Sequence, residues 1–218
     1  MGMEKYMKEL KEDSTRSESY YCRAISKMNG NDAEGAIQDF TIYLSFNPAS
    51  ALAYLLRGEC KAKIGNHIDG MADYEKSLEI CAKNARAYCK RGNSKFALKD
   101  YSGALQDFEK AIELKSNYGE AYLGRGMVKE AAGEQEDAVN DYKMGHSYRG
   151  LLKEQLGDYA GAVEDFTKAV EIAPQFAKVY YDRGNAKYRN GDKEGALVDY
   201  KKAHDLGYPK ANSVIRSR

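Results

Sequence analysis

The sequence predicts an all-α solenoid of antiparallel helix pairs, on three observations. Arg-Gly recurs at Arg57-Gly58, Arg91-Gly92, Arg125-Gly126, Arg149-Gly150 and Arg183-Gly184, with Arg23-Ala24 as a variant. Asp followed by an aromatic recurs at Asp39-Phe40, Asp73-Tyr74, Asp107-Phe108, Asp141-Tyr142, Asp165-Phe166 and Asp199-Tyr200. Both series step by 34 residues, except for one step of 24 between the fourth and fifth copies. A fixed period in this range marks a stacked-repeat architecture. Nothing in the chain alternates apolar and polar residues with a period of two, so no sheet is expected.

In chain order, residues 1–16 form the first segment. Met3, Tyr6, Met7 and Leu10 give it one apolar stripe at helical spacing, so it reads as a short amphipathic helix. It would either cap the first hairpin, as terminal repeats require, or dock into a groove of its own or another copy. Six copies follow over 17–50, 51–84, 85–118, 119–142, 143–176 and 177–210, the fourth shortened. In the copy Ala85–Tyr118, Tyr88, Arg91-Gly92 and Lys95-Phe96 keep helical spacing until Lys99–Ser102 interrupts. Ala104, Phe108 and Ala111-Ile112 then restart it. Gly65, Gly133, Gly157 and Gly191 occupy the same break in other copies, where glycine ends a helix. Pro48 and Pro174 close second helices. Residues 211–218 are a capping tail, with Pro209 able to open a last helix whose apolar side is Ala211, Val214 and Ile215.

Ten residues are missing between Tyr142 and Arg149 relative to the other copies. Two structures fit. A tight turn at Met144-Gly145-His146 could join two trimmed helices, or Glu134–Leu156 could run as one long helix that leaves repeat faces unpaired. The turn is the preferred reading, because glycine is a poor interior helix residue.

The copy Ala85–Tyr118 resembles the tetratricopeptide repeat through Tyr88, Gly92, Ala104, Phe108 and Ala111, and the resemblance covers roughly residues 17–210. It implies a right-handed superhelical solenoid whose first helices line a concave groove for a protein or peptide ligand.

Agreement among the copies separates packing from recognition. The slot of Gly92 holds Gly or Ala throughout, and that of Phe108 holds Phe or Tyr, so a residue without bulk faces a ring. Arg91, Lys95 and Asp107 also recur in all six copies. Arg and Lys four apart on a helix repel each other unless a carboxylate lies between them. Asp107 can supply it, giving a structural ladder worth about 0–1 kcal/mol per rung if exposed and about 1.5–3 kcal/mol if partly buried.

Partner choice belongs where the copies differ and the resemblance implies a groove-facing slot. The first copy contributes Glu18, Tyr21, Cys22, Ile25, Met28 and Asn29, and the second Leu52, Leu55, Leu56, Glu59, Ala62 and Lys63. The third contributes Arg86, Cys89, Lys90, Asn93, Phe96 and Ala97. Ile25, Leu55, Leu56 and Phe96 would anchor apolar side chains, and Arg86 and Lys90 would meet an acidic group. Alternatively, the two leucines merely cover the N-terminal helix and the two cations are solvated. The sixth copy presents Lys178, Tyr181, Asp182, Asn185, Tyr188 and Arg189, a more polar and aromatic surface. The carboxylate clamp by which some relatives hold chaperone tails would need Lys and Asn at Tyr21 and Ile25, Asn at Leu56 and bases at Arg86 and Lys90. Only the two bases are present.

Composition excludes several classes. With 34 basic and 33 acidic side chains, a net charge of +1 gives no field for nucleic acid or an anionic membrane. The longest apolar run is Ala51–Leu56, far short of the roughly 18 residues that span a bilayer. Met1–Arg16 lacks the apolar core of a secretory signal, which makes the cytoplasm the expected location. Cys22, Cys60, Cys81 and Cys89 have no Cys-x-x-Cys spacing and read as reduced, small apolar residues. His67, His146 and His204 lie in different copies, so neither metal nor cofactor is expected. Gly30–Gly35 has phosphate-loop glycine spacing, but Ala36-Ile37 follows where Lys and Ser or Thr are needed. The function expected is therefore a non-enzymatic scaffold for a protein or peptide, with no catalytic residues. A self-assembling protein, joined through its N-terminal helix or fourth copy, is the alternative.

Overall fold

The computed structural model describes residues 17–216, all in helices and the turns between them. They form two units, 17–114 and 115–216. The apolar stripe of Met3, Tyr6, Met7 and Leu10 lies outside the described residues.

In the first unit, helix α1 (17–29) pairs with α2 (Ala33–Phe46), α3 (Ala51–Lys63) with α4 (His67–Ile80), and α5 (Ala85–Ala97) with α6 (Tyr101–Leu114). Each new pair packs on the last through the α2–α3 and α4–α5 contacts. Local chemistry sets the boundaries. Asp32, Ser50, Asn66 and Asn84 each accept a hydrogen bond from the backbone N–H three residues on, satisfying a donor that the helix leaves open. The turns inside the pairs require a left-handed residue. Gly65 takes it with φ 85°, and Asn31 and Lys99 fill the equivalent positions with φ 68° and 66°. The proline expectation holds for both second helices, since α2 ends at Phe46 before Pro48 and the helix ahead of Pro174 ends at Ile172.

The second unit holds α7 (Gly119–Ala131), α8 (Gln135–Gln155), α9 (Tyr159–Ile172), α10 (Ala177–Arg189), α11 (Lys193–Asp205) and α12 (Pro209–Arg216). Pro209 opens the last helix as expected, and Ala211 is fully buried. The turn preferred at Met144-Gly145-His146 is absent. Helix α8 runs unbroken for 21 residues, through the boundary expected between 142 and 143. Gly145 serves a close crossing instead of a turn. A Cβ there would come within 2.7 Å of the Leu123 side chain and 3.0 Å of the Gly119 carbonyl oxygen on α7. Running on as one helix also avoids creating two new ends, each with four backbone groups lacking an intrahelical partner. That outweighs the roughly 1 kcal/mol penalty of an interior glycine.

All six Arg–Lys–Asp rungs form. The aspartates, 1 to 4% exposed, lie 2.5–2.7 Å from the arginine. The lysine one turn further on is 2.9–3.0 Å away. In five rungs a tyrosine three residues before the arginine lies under its guanidinium, at 5.2–5.5 Å. The sixth departs: His146 occupies that place, and its Nδ1 donates to Asp165 at 3.2 Å. The glycine–ring pairing is equally direct. A Cβ on Gly58, Gly126, Gly150 or Gly184 would come within 2.7–2.8 Å of the facing Tyr74, Tyr142, Phe166 or Tyr200 ring.

Candidate functional site

Three first helices of the 17–114 unit, α1, α3 and α5, together with α4 surround a cavity of about 340 Å³. Its apolar side is made by Met28, Cys60, Ala62 and the ring of Tyr74. The close approach of α3 and α4 at Gly58 puts that ring in place, and burial pushes its phenol pKa up, so it stays neutral. Its hydroxyl meets Ser94, whose Oγ lies 3.4 Å from His67 Nδ1. Burial also pushes the Cys60 thiol up to about 11, leaving an unreactive apolar contact. Glu59, Lys63, Lys90 and Asn93 form the polar rim.

Of the residues expected in a groove, Met28, Glu59, Ala62, Lys63, Lys90 and Asn93 are brought to this one cavity. Leu55 and Leu56 are corrections: they are 1% and 4% exposed. Leu55 packs with Tyr74, Leu78 and Ala87, and Leu56 joins the core of α1, α2 and α3. Their slots face the neighbouring helices, so neither can anchor a ligand. Arg86 is also spoken for, since Glu59 accepts from its Nε and Nη2 at 2.7 and 2.6 Å. Tyr21 and Ile25 are half-buried against the α1–α2 core, with the Tyr21 ring 5.0 Å from that of Tyr43. Phe96 lies 5.4 Å from Tyr101 within its own hairpin. Cys22 and Cys81 are exposed and Cys60 and Cys89 buried, and none of the four is in a disulfide.

On α10 of the second unit, Lys178 pairs with Asp182 at 2.5 Å. Tyr181 lies between Tyr200 and Tyr208, at 5.7 and 5.1 Å. Asn185 accepts from the Tyr200 hydroxyl at 3.0 Å. Tyr181 and Asn185 thus contact the second helix of their own hairpin, while the Lys178 pair runs along α10 itself. Asp182 is buried, which raises its carboxyl pKa despite the Lys178 partner, and burial does the same to Glu154 on α8.

Sequence reasoning missed Cys60, His67, Tyr74 and Ser94. The available signal was the alternation Phe40, Tyr74, Phe108, Tyr142, Phe166, Tyr200 in one packing slot. A hydroxyl at a ring position demands a polar partner, here Ser94 for Tyr74, Glu130 for Tyr142 and Asn185 for Tyr200.

Residues 85–118 match the model of the tetratricopeptide repeat, and residues 150–191 match a second model described as TPR repeat. The chain is a tetratricopeptide-repeat protein. No curated protein matches this TPR protein in sequence. Among solved structures, it is similar to MamA with a TM-score of 0.51 and 24% identity, over 87% of this chain and 96% of that one. It is similar to the APC/C hetero-tetramer Cut9–Hcn1 with a TM-score of 0.57 and 12% identity, over 92% and 42% of the two chains. The first TPR domain of Spaghetti (RPAP3), bound to the HSP90 peptide SRMEEVD, matches 55% of this chain and 95% of its own, with a TM-score of 0.53 and 19% identity. At these identities the likeness is one of fold. No helix among the described residues is long and apolar enough to cross a membrane.

Proposed function

We propose that this TPR protein is a non-enzymatic scaffold holding a peptide or an extended protein segment at the cavity of its 17–114 unit. One observation carries the reading: three successive first helices, α1, α3 and α5, converge on one cavity of about 340 Å³ with an apolar side and a charged rim. That combination takes an apolar side chain as anchor and gives orientation through a few polar groups. Lys63 and Lys90 on the rim favour an acidic group beside the anchor. The neighbouring RPAP3 domain, seen with a peptide, is compatible with this reading. A cytoplasmic setting suits it, since free thiols stay reduced there.

The test is selection of a displayed random-peptide library on the full chain, followed by anisotropy titration of the enriched peptides. Enriched peptides should share an apolar residue next to Asp or Glu. Binding should weaken at least about tenfold for Lys90→Glu and for Asn93→Arg, with helicity unchanged. Enrichment of no sequence, or equal binding by both variants, would overturn the cavity as the site.

A further inference from the structure

Helix α8 does two jobs that every other pair divides between two helices. Its first half packs on α7 as a second helix, closed by the Arg125–Asp141 rung. Its last half packs on α9 as a first helix, closed by Arg149–Asp165. In regular joints a second helix packs on the following first helix, as in α2–α3, α4–α5 and α9–α10. Within α8 that contact cannot form, because the two elements are one rod.

The residues deprived by this are identifiable from the repeat. Leu152 stands in the slot of Cys60, Ser94 and Ala186, which are 1%, 1% and 0% exposed, yet it is 47% exposed. Val139 stands in the slot of Ile37, Met71 and Val163, all half-buried, yet it is 43% exposed. In regular joints the two slots share one apolar cluster, Ile37 with Cys60 and Val163 with Ala186. On α8 they are separated by about 20 Å along the axis and about 140° around it. They therefore cannot meet within one chain, and no single two-fold pairing of straight helices can cover both.

We propose that the occupant of each face is a second copy of this chain, joined head to tail, with the Val139 face of one copy against the Leu152 face of the next. Each face lacks the kind of helix that the other half of α8 is, and the α2–α3 and α9–α10 joints show that the two kinds fit. Because the faces differ, the contact is heterologous and does not close on itself in a pair, so association grows with concentration. This proposal is independent of the peptide cavity.

Sedimentation velocity on the full chain tests it. Wild type should show a mean mass rising past two chains over a roughly thousandfold concentration range. Val139→Glu and Leu152→Glu should each stay at one chain, since each loses one face. Their equimolar mixture should reach two chains and stop, because one intact pair of faces remains between them. Both positions are nearly half exposed, so helicity by circular dichroism should match wild type. If either glutamate variant loses helix, the corresponding glutamine variant replaces it. A wild type that stays at one chain, single variants that assemble as wild type does, or a mixture that stays at one chain would each overturn the proposal.

Discussion

The joint between α2 and α3 and the middle of α8 occupy the same place in the repeat. At the first, residues 47–50 turn the chain between helices, and Ile37 and Cys60 end in one apolar cluster. At the second the chain runs straight on and leaves Val139 and Leu152 nearly half exposed. The rungs on both sides of α8 are as tight as those around the turn. The comparison separates what holds a hairpin together from what holds hairpins to each other. The ring against glycine and the buried aspartate act inside a hairpin and survive loss of the joint. The apolar cluster between hairpins does not survive it.

The largest expected effect tests whether the hairpin is the unit. Asp73→Ala leaves Arg57 and Lys61 without their carboxylate and should cost about 3 kcal/mol in urea melts. Asp141→Ala in α8 should cost about the same; a loss under half of that would break the equivalence. Next come the two kinds of glycine. Gly145→Leu has no room against α7 and should cost about 2–3 kcal/mol by overpacking. Gly65 has open space but a left-handed backbone, so Gly65→Asn should lie within about 0.5 kcal/mol of wild type, as Asn31 takes that conformation already. Equal melting temperatures for the two variants would remove the distinction.

Acid should release the rungs. The hydrogen bond from Arg23, working against burial, holds the Asp39 carboxyl at about 2. At Asp165 burial pushes the other way, but His146, Arg149 and Lys153 keep it below the ordinary carboxylate range. A depressed folded pKa contributes stability that is complete above the unfolded value of about 3.9 and is lost as pH falls through the folded one. Helicity should hold from pH 7 to about 4 and fall towards about pH 2. Asp39→Asn should flatten part of that fall, and an identical acid profile would remove Asp39 as a contributor. The smallest effect is at Lys99, whose φ of 66° a glycine would adopt freely. Lys99→Gly should stabilise by about 0.5 kcal/mol, visible as a small rise in melting temperature.

The fold was legible because its determinants recur. A period of 34 residues, a ring opposite glycine and an Asp reaching Arg and Lys are short-range patterns that the chain states repeatedly. Gly145 was misread because a glycine serves equally for a left-handed turn and for close helix crossing, and only the position of Leu123 and Gly119 tells them apart. Groove slots were harder. Leu55 and Leu56 have the side chains of ligand anchors, but which neighbour covers them depends on three-dimensional stacking. Glu59 and Arg86 are individually candidate contacts, and their mutual pairing is a long-range fact. The places of His67, Tyr74 and Ser94 at the cavity are not legible in the sequence, because α4 is a second helix and Ser94 stands in a buried slot of α5.

The rung also bears on how such a chain can change length over generations. Each aspartate and its arginine are 16 residues apart and inside one hairpin, so a duplication or excision at a joint moves both together. No buried carboxylate is orphaned by such an event, and no cation is left without its counter-charge. Array length is thus free to drift one hairpin at a time, and even a step ten residues short of the period, as at α8, leaves every electrostatic lock whole.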